Sequence, residues 1–165
     1  MEIRKSTEAD IPAMQKVFAA AREFMAATGN PNQWTDGYPS VEQLITDISR
    51  GESYVCLNGN AIIGTFVLRQ EKDPTYNTIF DGAWPNDNPY ATIHRIAGSG
   101  TEKGIFNAAM TLALRYYDTI RIDTHRDNSV MRHILQRTGF RYCGIIHCWN
   151  GDERLAYQYD RTDKQ

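Results

Sequence analysis

Tyr90-Ala91-Thr92-Ile93-His94-Arg95-Ile96-Ala97 is a β-rich run broken by Gly98-Ser99-Gly100, and the pattern beyond the break decides the fold. Ile105, Phe106, Ala109, Met110, Ala113 and Tyr117 recur at helical spacing, which predicts a helix over about residues 103–117. Ile120-Arg121-Ile122-Asp123 is a short strand. Asp127 or Asn128 then caps a helix carrying Val130, Met131, Ile134 and Leu135, and Gly139 ends it. A strand–helix–strand–helix unit implies a parallel strand pair with a right-handed crossover.

Outward from this unit the chain reads mostly as antiparallel sheet. Residues 142–149 and 154–159 are strands flanking an Asn150-Gly151 turn, and residues 53–57 and 61–69 flank Asn58-Gly59-Asn60. Ile3 opens a short first strand. Thr7-Glu8-Ala9-Asp10 is a variant capping box ahead of Ile11, Met14, Phe18, Ala21 and Met25, with Gly29 as the stop. Ser40-Val41-Glu42-Gln43 is a second box, followed by Leu44, Ile45 and Ile48 on one face. The order β-α-α-β-β-β-α-β-α-β-β describes one mixed α/β domain. No repeat or linker divides it.

The chain has 165 residues, 41% hydrophobic and 23% charged, proportions of a globular protein able to bury a core without metal or disulfide staples. Eighteen Lys+Arg against twenty Asp+Glu leave a net charge of -2, which argues against a nucleic-acid partner. The longest largely apolar run, residues 61–68, is too short to span a membrane, and no signal peptide is visible. Three cysteines, Cys56, Cys143 and Cys148, fit no disulfide framework. A reduced, cytoplasmic location is the expectation.

Three motifs carry a resemblance. Ile93-His94-Arg95-Ile96-Ala97, Asn128 through Met131 to Gly139-Phe140, and Gln33-Trp34-Thr35-Asp36-Gly37-Tyr38-Pro39 resemble segments of the GCN5-related N-acetyltransferase (GNAT) superfamily. They are similar to its fourth strand, its helix after the fifth strand, and a segment between the first two helices of some members. The likeness covers essentially the whole chain. It implies an α/β fold with a mixed, mostly antiparallel sheet, splayed parallel central strands and flanking helices. It also implies acetyl-CoA as cofactor and an amine acceptor on a small molecule or peptide, acetylated by direct attack.

By the same resemblance, Ile96, Ala97 and Gly98 supply main-chain contacts to pantetheine, and Asn128 and Met131 face that arm. Asn128 also reads as a plain helix N-cap, and both roles can coexist. Thr101-Glu102-Lys103-Gly104-Ile105-Phe106 occupies the place of the family's Gln/Arg-x-x-Gly-x-Gly/Ala pyrophosphate loop. Only Gly104 matches, and the segment before it is about two residues short. A Gly-containing turn feeding a helix start gathers free N–H groups and suits a pyrophosphate. An ordinary strand–helix turn is the other reading.

Acetyl transfer to an amine needs a neutral amine, a polarised carbonyl, alignment and a proton for the leaving sulfur. The family's usual acid is a tyrosine seven residues after the helix-opening asparagine; here that position is Leu135. His125 is a candidate base, two residues from Asp123, whose carboxylate would raise its pKa and orient its ring. His94, on the strand nearest the acyl group, is the second candidate; a hydrogen-bonded core histidine is its plainer reading. Cys143, His147 and Cys148 lack a second ligand pair, so no metal is expected. A cysteine acyl-enzyme has little support, because both late cysteines fall in a strand packed partly in the core.

Trp34 and Tyr38 suggest an aromatic acceptor wall with Gln33 and Asp36 as polar handles, or packing beneath a loop. Glu71, Asp73, Asp81 and Asp87 suggest an acidic rim, or a solvated loop. Two further readings remain open: a non-catalytic acyl-CoA-binding sensor, and a fold relative whose cofactor loop Phe106 blocks. A terminal strand edge leaves both monomer and homodimer open.

Overall fold

The computed structural model describes residues 1–161. Seven strands form one sheet: β1 (Glu2–Lys5), β2 (Ser53–Asn58), β3 (Ala61–Arg69), β4 (Tyr90–Gly98), β5 (Thr119–Thr124), β6 (Arg141–His147) and β7 (Glu153–Asp160). Their spatial order is β1-β2-β3-β4-β5-β7-β6. Only β4 and β5 run parallel, and every other neighbouring pair is antiparallel. The helices are α1 (Ile11–Ala27), α2 (Val41–Ser49), α3 (Ile105–Ala113) and α4 (Ser129–Thr138).

Alternation along the strands divides the core into layers. One face buries Phe66, Leu68, Ala91, Ile93, Ile120 and Ile122 against Phe106, Ala109, Met110 and Ala113 of α3 and Leu135 of α4. Opposite them, Val55, Leu57 and Ala97 pack against Met14, Val17, Phe18 and Ala21 of α1 and Leu44 of α2. Farther along that second face, Tyr76, Tyr90, Ile146 and Ala156 form a separate cluster with Trp84.

That third cluster corrects the reading of residues 71–89 as a solvated, acidic loop. Asp73 and Tyr76 are buried, and Trp84 Nε1 donates to the Tyr76 carbonyl at 2.9 Å. The Arg121 guanidinium lies 4.0 Å from the Trp84 ring centroid and 4.1 Å from that of Tyr90, a doubly stacked cation. The segment also bonds to β6: Phe80 and Ile145 exchange backbone hydrogen bonds, both 2.8 Å, and Ala83 N–H donates to Cys143 O. The outer edge of β6 is therefore partly occupied by the chain itself. A Cβ on Gly82 would come within 2.0 Å of Cys143 O, so the docking needs glycine there.

Local signals govern several element ends. Thr7 N–H donates to the Asp10 carboxylate at 2.8 Å, Gly59 turns the β2–β3 hairpin at φ +61°, and Gly139 closes α4 at φ +102°. Ser40 accepts from Gln43 N–H at 3.1 Å, but the Gln43 amide turns to Asp47, so the second box is half made. Ile45 is exposed rather than on the buried face of α2. Helix α3 is shorter than its apolar spacing predicts, because the pattern continues through a turn after Ala113.

Two features of β4 shape the site. Its pairing with β5 covers only Tyr90, Ala91 and Thr92, and beyond that the strands separate. On the other side, Thr65 faces Ala97 while Val67 faces His94, so two steps on β3 match three on β4. Arg95 lies within this bulge at φ +46°, a left-handed conformation that is strained for a side-chain-bearing residue. Its guanidinium makes two 2.8 Å hydrogen bonds to the Asp47 carboxylate, whose side chain is 2% exposed, and a third to Tyr38 Oη at 3.0 Å.

Candidate active site

Two clefts open on either side of the β4–β5 gap. The first, about 990 Å³, lies between α1, the end of β4, the start of α3 and α4. Of the residues expected to hold a cofactor, Ile96, Ala97, Gly98, Glu102, Lys103, Gly104, Ile105, Phe106, Asn128 and Met131 line it. Thr101 does not; its hydroxyl lies 2.7 Å from that of Ser99. Gly104 is the N-cap of α3 at φ +102°, a conformation that favours glycine. The first helical amide bond runs from Ala108 N–H to Gly104 O. The N–H groups of Ile105, Phe106 and Asn107 therefore stand free at the helix start, where the dipole favours an anion.

Phe106 does not obstruct this loop. It is buried, and its ring centroid lies 6.2 Å from that of Phe140 in the core beneath α3. The expected small residue is thus replaced by one whose bulk the core absorbs.

The second cleft, about 580 Å³, is built from widely separated parts of the chain. Gln33, Trp34 and Tyr38 enter from the α1–α2 connection, and Asp73 and Thr75 from the segment after β3. His94 and Arg95 come from β4, Asp123 from β5, and Cys148, Asp152 and Arg154 from the β6–β7 hairpin. Trp34 packs edge-on to Phe18 at 5.6 Å, so it serves the core as well as the wall. Gln33 is a hub: its Oε1 accepts from Asn128 Nδ2 at 2.9 Å and Asn30 Nδ2 at 3.0 Å. Asn128 Oδ1 in turn caps α4 through Met131 N–H, so the cap and the junction role coexist. Met25, Ile96, Asn128 and Met131 line both clefts, which meet where β4 and β5 diverge.

The histidines separate clearly. His94 lines the second cleft, and its Nε2 is 2.8 Å from Asp73 Oδ2. Burial disfavours charge on Asp73, but the hydrogen bond and charge of His94 and the Thr75 donors outweigh it, holding the carboxyl well below its usual range. An ionised Asp73 accepts from Nε2–H, so in the neutral imidazole Nδ1 is the acceptor, with no partner among the described residues. His125 lines neither cleft. The expected Asp123–His125 pairing is absent: His125 Nδ1 accepts from Asp127 N–H at 3.0 Å, and Asp123 Oδ2 accepts from the Tyr76 hydroxyl at 2.6 Å. Burial and the nearby Arg154 lower the pKa of His125, opposite in direction to the sequence expectation. Burial, followed by the charge of Asp123, pushes the Tyr76 phenol well above its usual range.

Leu135, at the position of the family's tyrosine, is fully buried. Cys148 does line the second cleft, but burial and the charge of Asp123 push its thiol up to about 11, so it is not a thiolate at neutral pH. Of the expected acidic rim only Asp73 lines the cleft, and it is paired. Among the described residues no group of three or more His, Cys, Asp or Glu is placed to hold a metal ion, and no helix is long and apolar enough to cross a membrane. The pairing of Asp73 with His94, the role of Tyr76 and the Asp47–Arg95 pair escaped sequence reasoning. An arginine inside an otherwise apolar strand and Asp73-Pro74 ahead of a turn were the available signals.

A parting parallel pair with one cleft on each side defines an acyl-transfer fold of the GNAT type. No protein-family model matches the sequence, and no curated protein does. Among solved structures, a GNAT-family acetyltransferase from Streptococcus agalactiae is 30% identical, with a TM-score of 0.84 over 98% of this chain and 96% of that one. A GNAT-family acetyltransferase from Listeria monocytogenes is 18% identical, with a TM-score of 0.69 over 96% and 94% of the two chains. The PaiA N-acetyltransferase of Thermoplasma acidophilum, solved in complex with coenzyme A, is 16% identical, with a TM-score of 0.63 over 96% and 98%. These last two bear on the fold alone. The chain belongs to the GNAT family, and its general chemistry is acetyl transfer.

Proposed function

We propose that this protein transfers an acetyl group from acetyl-CoA to the primary amine of a small molecule or peptide by direct attack. The observation that carries this reading is the meeting of the two clefts at the β4–β5 gap, where Met25, Ile96, Asn128 and Met131 belong to both. The cofactor side fits the group: β4 has no β5 partner after Thr92, and the α3 start offers free N–H groups. Ile96, Ala97 and Gly98 would hold the pantetheine, and residues 102–106 the pyrophosphate, by main-chain donors that depend little on side-chain identity. Acetyl-CoA, when bound, supplies an acetyl carbon open to attack by an amine.

The chain's own residues manage the amine. Asp123 and His94 flank the gap on the acceptor side, and Asp73 orients the His94 ring. His94 Nδ1 takes a proton from the incoming ammonium, leaving the neutral nucleophile. Leu135 has no proton to give; the ammonium sheds two protons on becoming an amide, so the one held on His94 would be available to the leaving sulfur while the second passes to solvent. Neutral Cys148 supports direct attack over a covalent cysteine route.

Calorimetric titration with acetyl-CoA, with desulpho-CoA and ATP as controls, tests the cofactor. Saturable one-site binding well above ATP, followed by amine-dependent thiol release, is expected. A folded sample that binds no acetyl-CoA sinks the reading. The absent acid at Leu135 favours one second reading, an acyl-CoA-binding sensor, which predicts binding without turnover.

A further inference from the structure

The acceptor-side cleft carries Arg50, the C-cap of α2, and Arg69, the last residue of β3, on its β3 side, and Asp123 and Asp152 beside Arg154 on its β5–β7 side. Arg50 is exposed, and its side chain makes no hydrogen bond or ion pair among the described residues. Arg69 is mostly covered; its nearest anion is Glu71, 4.0 Å from Nη2 and itself 83% exposed. Arg69 Nε is buried with no hydrogen-bond partner among the described residues. The remainder of the guanidinium is what a ligand oxygen can reach: the side chain is 20% exposed, and among the described residues only the 4.0 Å contact of Glu71 competes for it. Glu52 feels the charge of both arginines but bonds neither, and burial raises its carboxyl pKa against their pull.

On the opposite side Asp123 spends Oδ2 on Tyr76, and its Oδ1 has no hydrogen bond among the described residues. Register places Arg69 opposite Thr92 and Val67 opposite His94, so Arg69 and His94 share the cleft face of the sheet. From β3 to β5 is two strand spacings, roughly 10 Å between backbones, with side chains reaching inward from both sides. That span suits a molecule of amino-acid size. Glu52 and Glu71 beside the two arginines make this end suited to one negative charge rather than two.

We infer that the acceptor is a small aminocarboxylate, bound across His94 with its carboxylate on Arg69 and Arg50 and its amine toward Asp123 and His94 Nδ1. The fate of the amine rests on the acetyl-transfer reading above; the carboxylate's recognition does not. The test is calorimetric titration at pH 6 with L-amino acids and ω-aminoalkanoates, each beside its carboxamide or alkylamine counterpart, and with O-phosphoethanolamine. The best carboxylate is expected to outbind its neutral counterpart by roughly tenfold or more. Arg69→Gln removes that margin, Arg69→Lys keeps part of it, and Arg50→Gln, at an exposed position, narrows it without threatening the fold.

A panel in which no carboxylate binds, or none outbinds its neutral partner, overturns the inference. Tighter binding of O-phosphoethanolamine also overturns it, as does a margin undiminished in a natively melting Arg69→Gln. Acetyl-CoA binding and thiol release with any amine decide the transfer reading separately. An alkylamine acetylated as well as an aminocarboxylate would leave transfer standing and this inference fallen.

Discussion

The two clefts differ in how the chain makes them. The cofactor-side cleft draws chiefly on contiguous segments, residues 96–107 and 128–137, and offers main-chain groups at a parted strand and a helix start. The acceptor-side cleft is made of side chains brought from afar: Asp73 with His94, Tyr76 with Asp123, and Asp47 with Arg95, the last two about 47 residues apart in sequence. Main-chain recognition of the cofactor, as proposed, would tolerate Phe106 and Thr101 in place of the family's residues, because neither side chain has to make the contact. Side-chain recognition has no such slack, so the proposed function puts acceptor specificity and proton transfer on the second side.

The largest expected effect tests that division directly. His94→Gln should lower kcat by about 10²–10⁴-fold, the usual worth of a positioned general base, while acetyl-CoA binding measured by calorimetry stays within about twofold. His125→Ala, outside both clefts, should leave both quantities within about twofold. If the rate falls with His125 and not with His94, the assignment of proton transfer to the Asp73–His94 pair is wrong.

Next in size is the support of the bulge. Asp47→Ala leaves the Arg95 guanidinium in a largely buried place with only Tyr38 beside it, and should cost about 3–5 kcal/mol of stability, read from the urea midpoint at unchanged slope. The strain at Arg95 is held by this bidentate contact, so any folded fraction should also show a raised acceptor KM. A midpoint shift worth under about 1 kcal/mol would place the pair among ordinary surface contacts.

On the cofactor side, Gly104→Asp combines a left-handed φ with a negative charge at the α3 start. It should weaken acetyl-CoA binding by about tenfold or more while leaving the acceptor KM in place. Unchanged affinity in a folded variant would move the pyrophosphate away from this loop.

The contrast also explains what the sequence made legible. Gly59, Gly139 and Asn128 act within a few residues of themselves, so their turn and cap roles are visible in the chain. The element order comes from the change between two-residue and helical spacing, and with it the cofactor-side frame. What escaped depends on folding. Gln43 bonds Asp47 rather than completing its capping box, and Asp47 is itself drawn in by Arg95. The segment 71–89 is polar in composition, yet Tyr76 and Trp84 anchor it over the sheet and bring Asp73 to His94. Two residues of separation on a strand made Asp123 and His125 natural partners, but β5 ends at Thr124 and His125 turns to Asp127.

The smallest expected effect concerns Cys148, the only cysteine in either cleft among the described residues. Its thiol is pushed up to about 11, first by burial and then by the charge of Asp123. Below that pH the group is the neutral thiol, and thiolate rises only as pH climbs toward 11. Alkylation by iodoacetamide at neutral pH should thus be slower than that of an unburied cysteine by on the order of a hundredfold, speeding up with pH. Cys148→Ser should then change kcat by less than about twofold, since direct attack asks nothing of the sulfur. A loss of more than about tenfold, joined with an acetylated Cys148 trapped on rapid quenching, would replace direct attack by a two-step route. The acceptor side would then hold a nucleophile of its own, and the division between a main-chain cofactor site and a proton-handling acceptor site would have to be redrawn around the thiol.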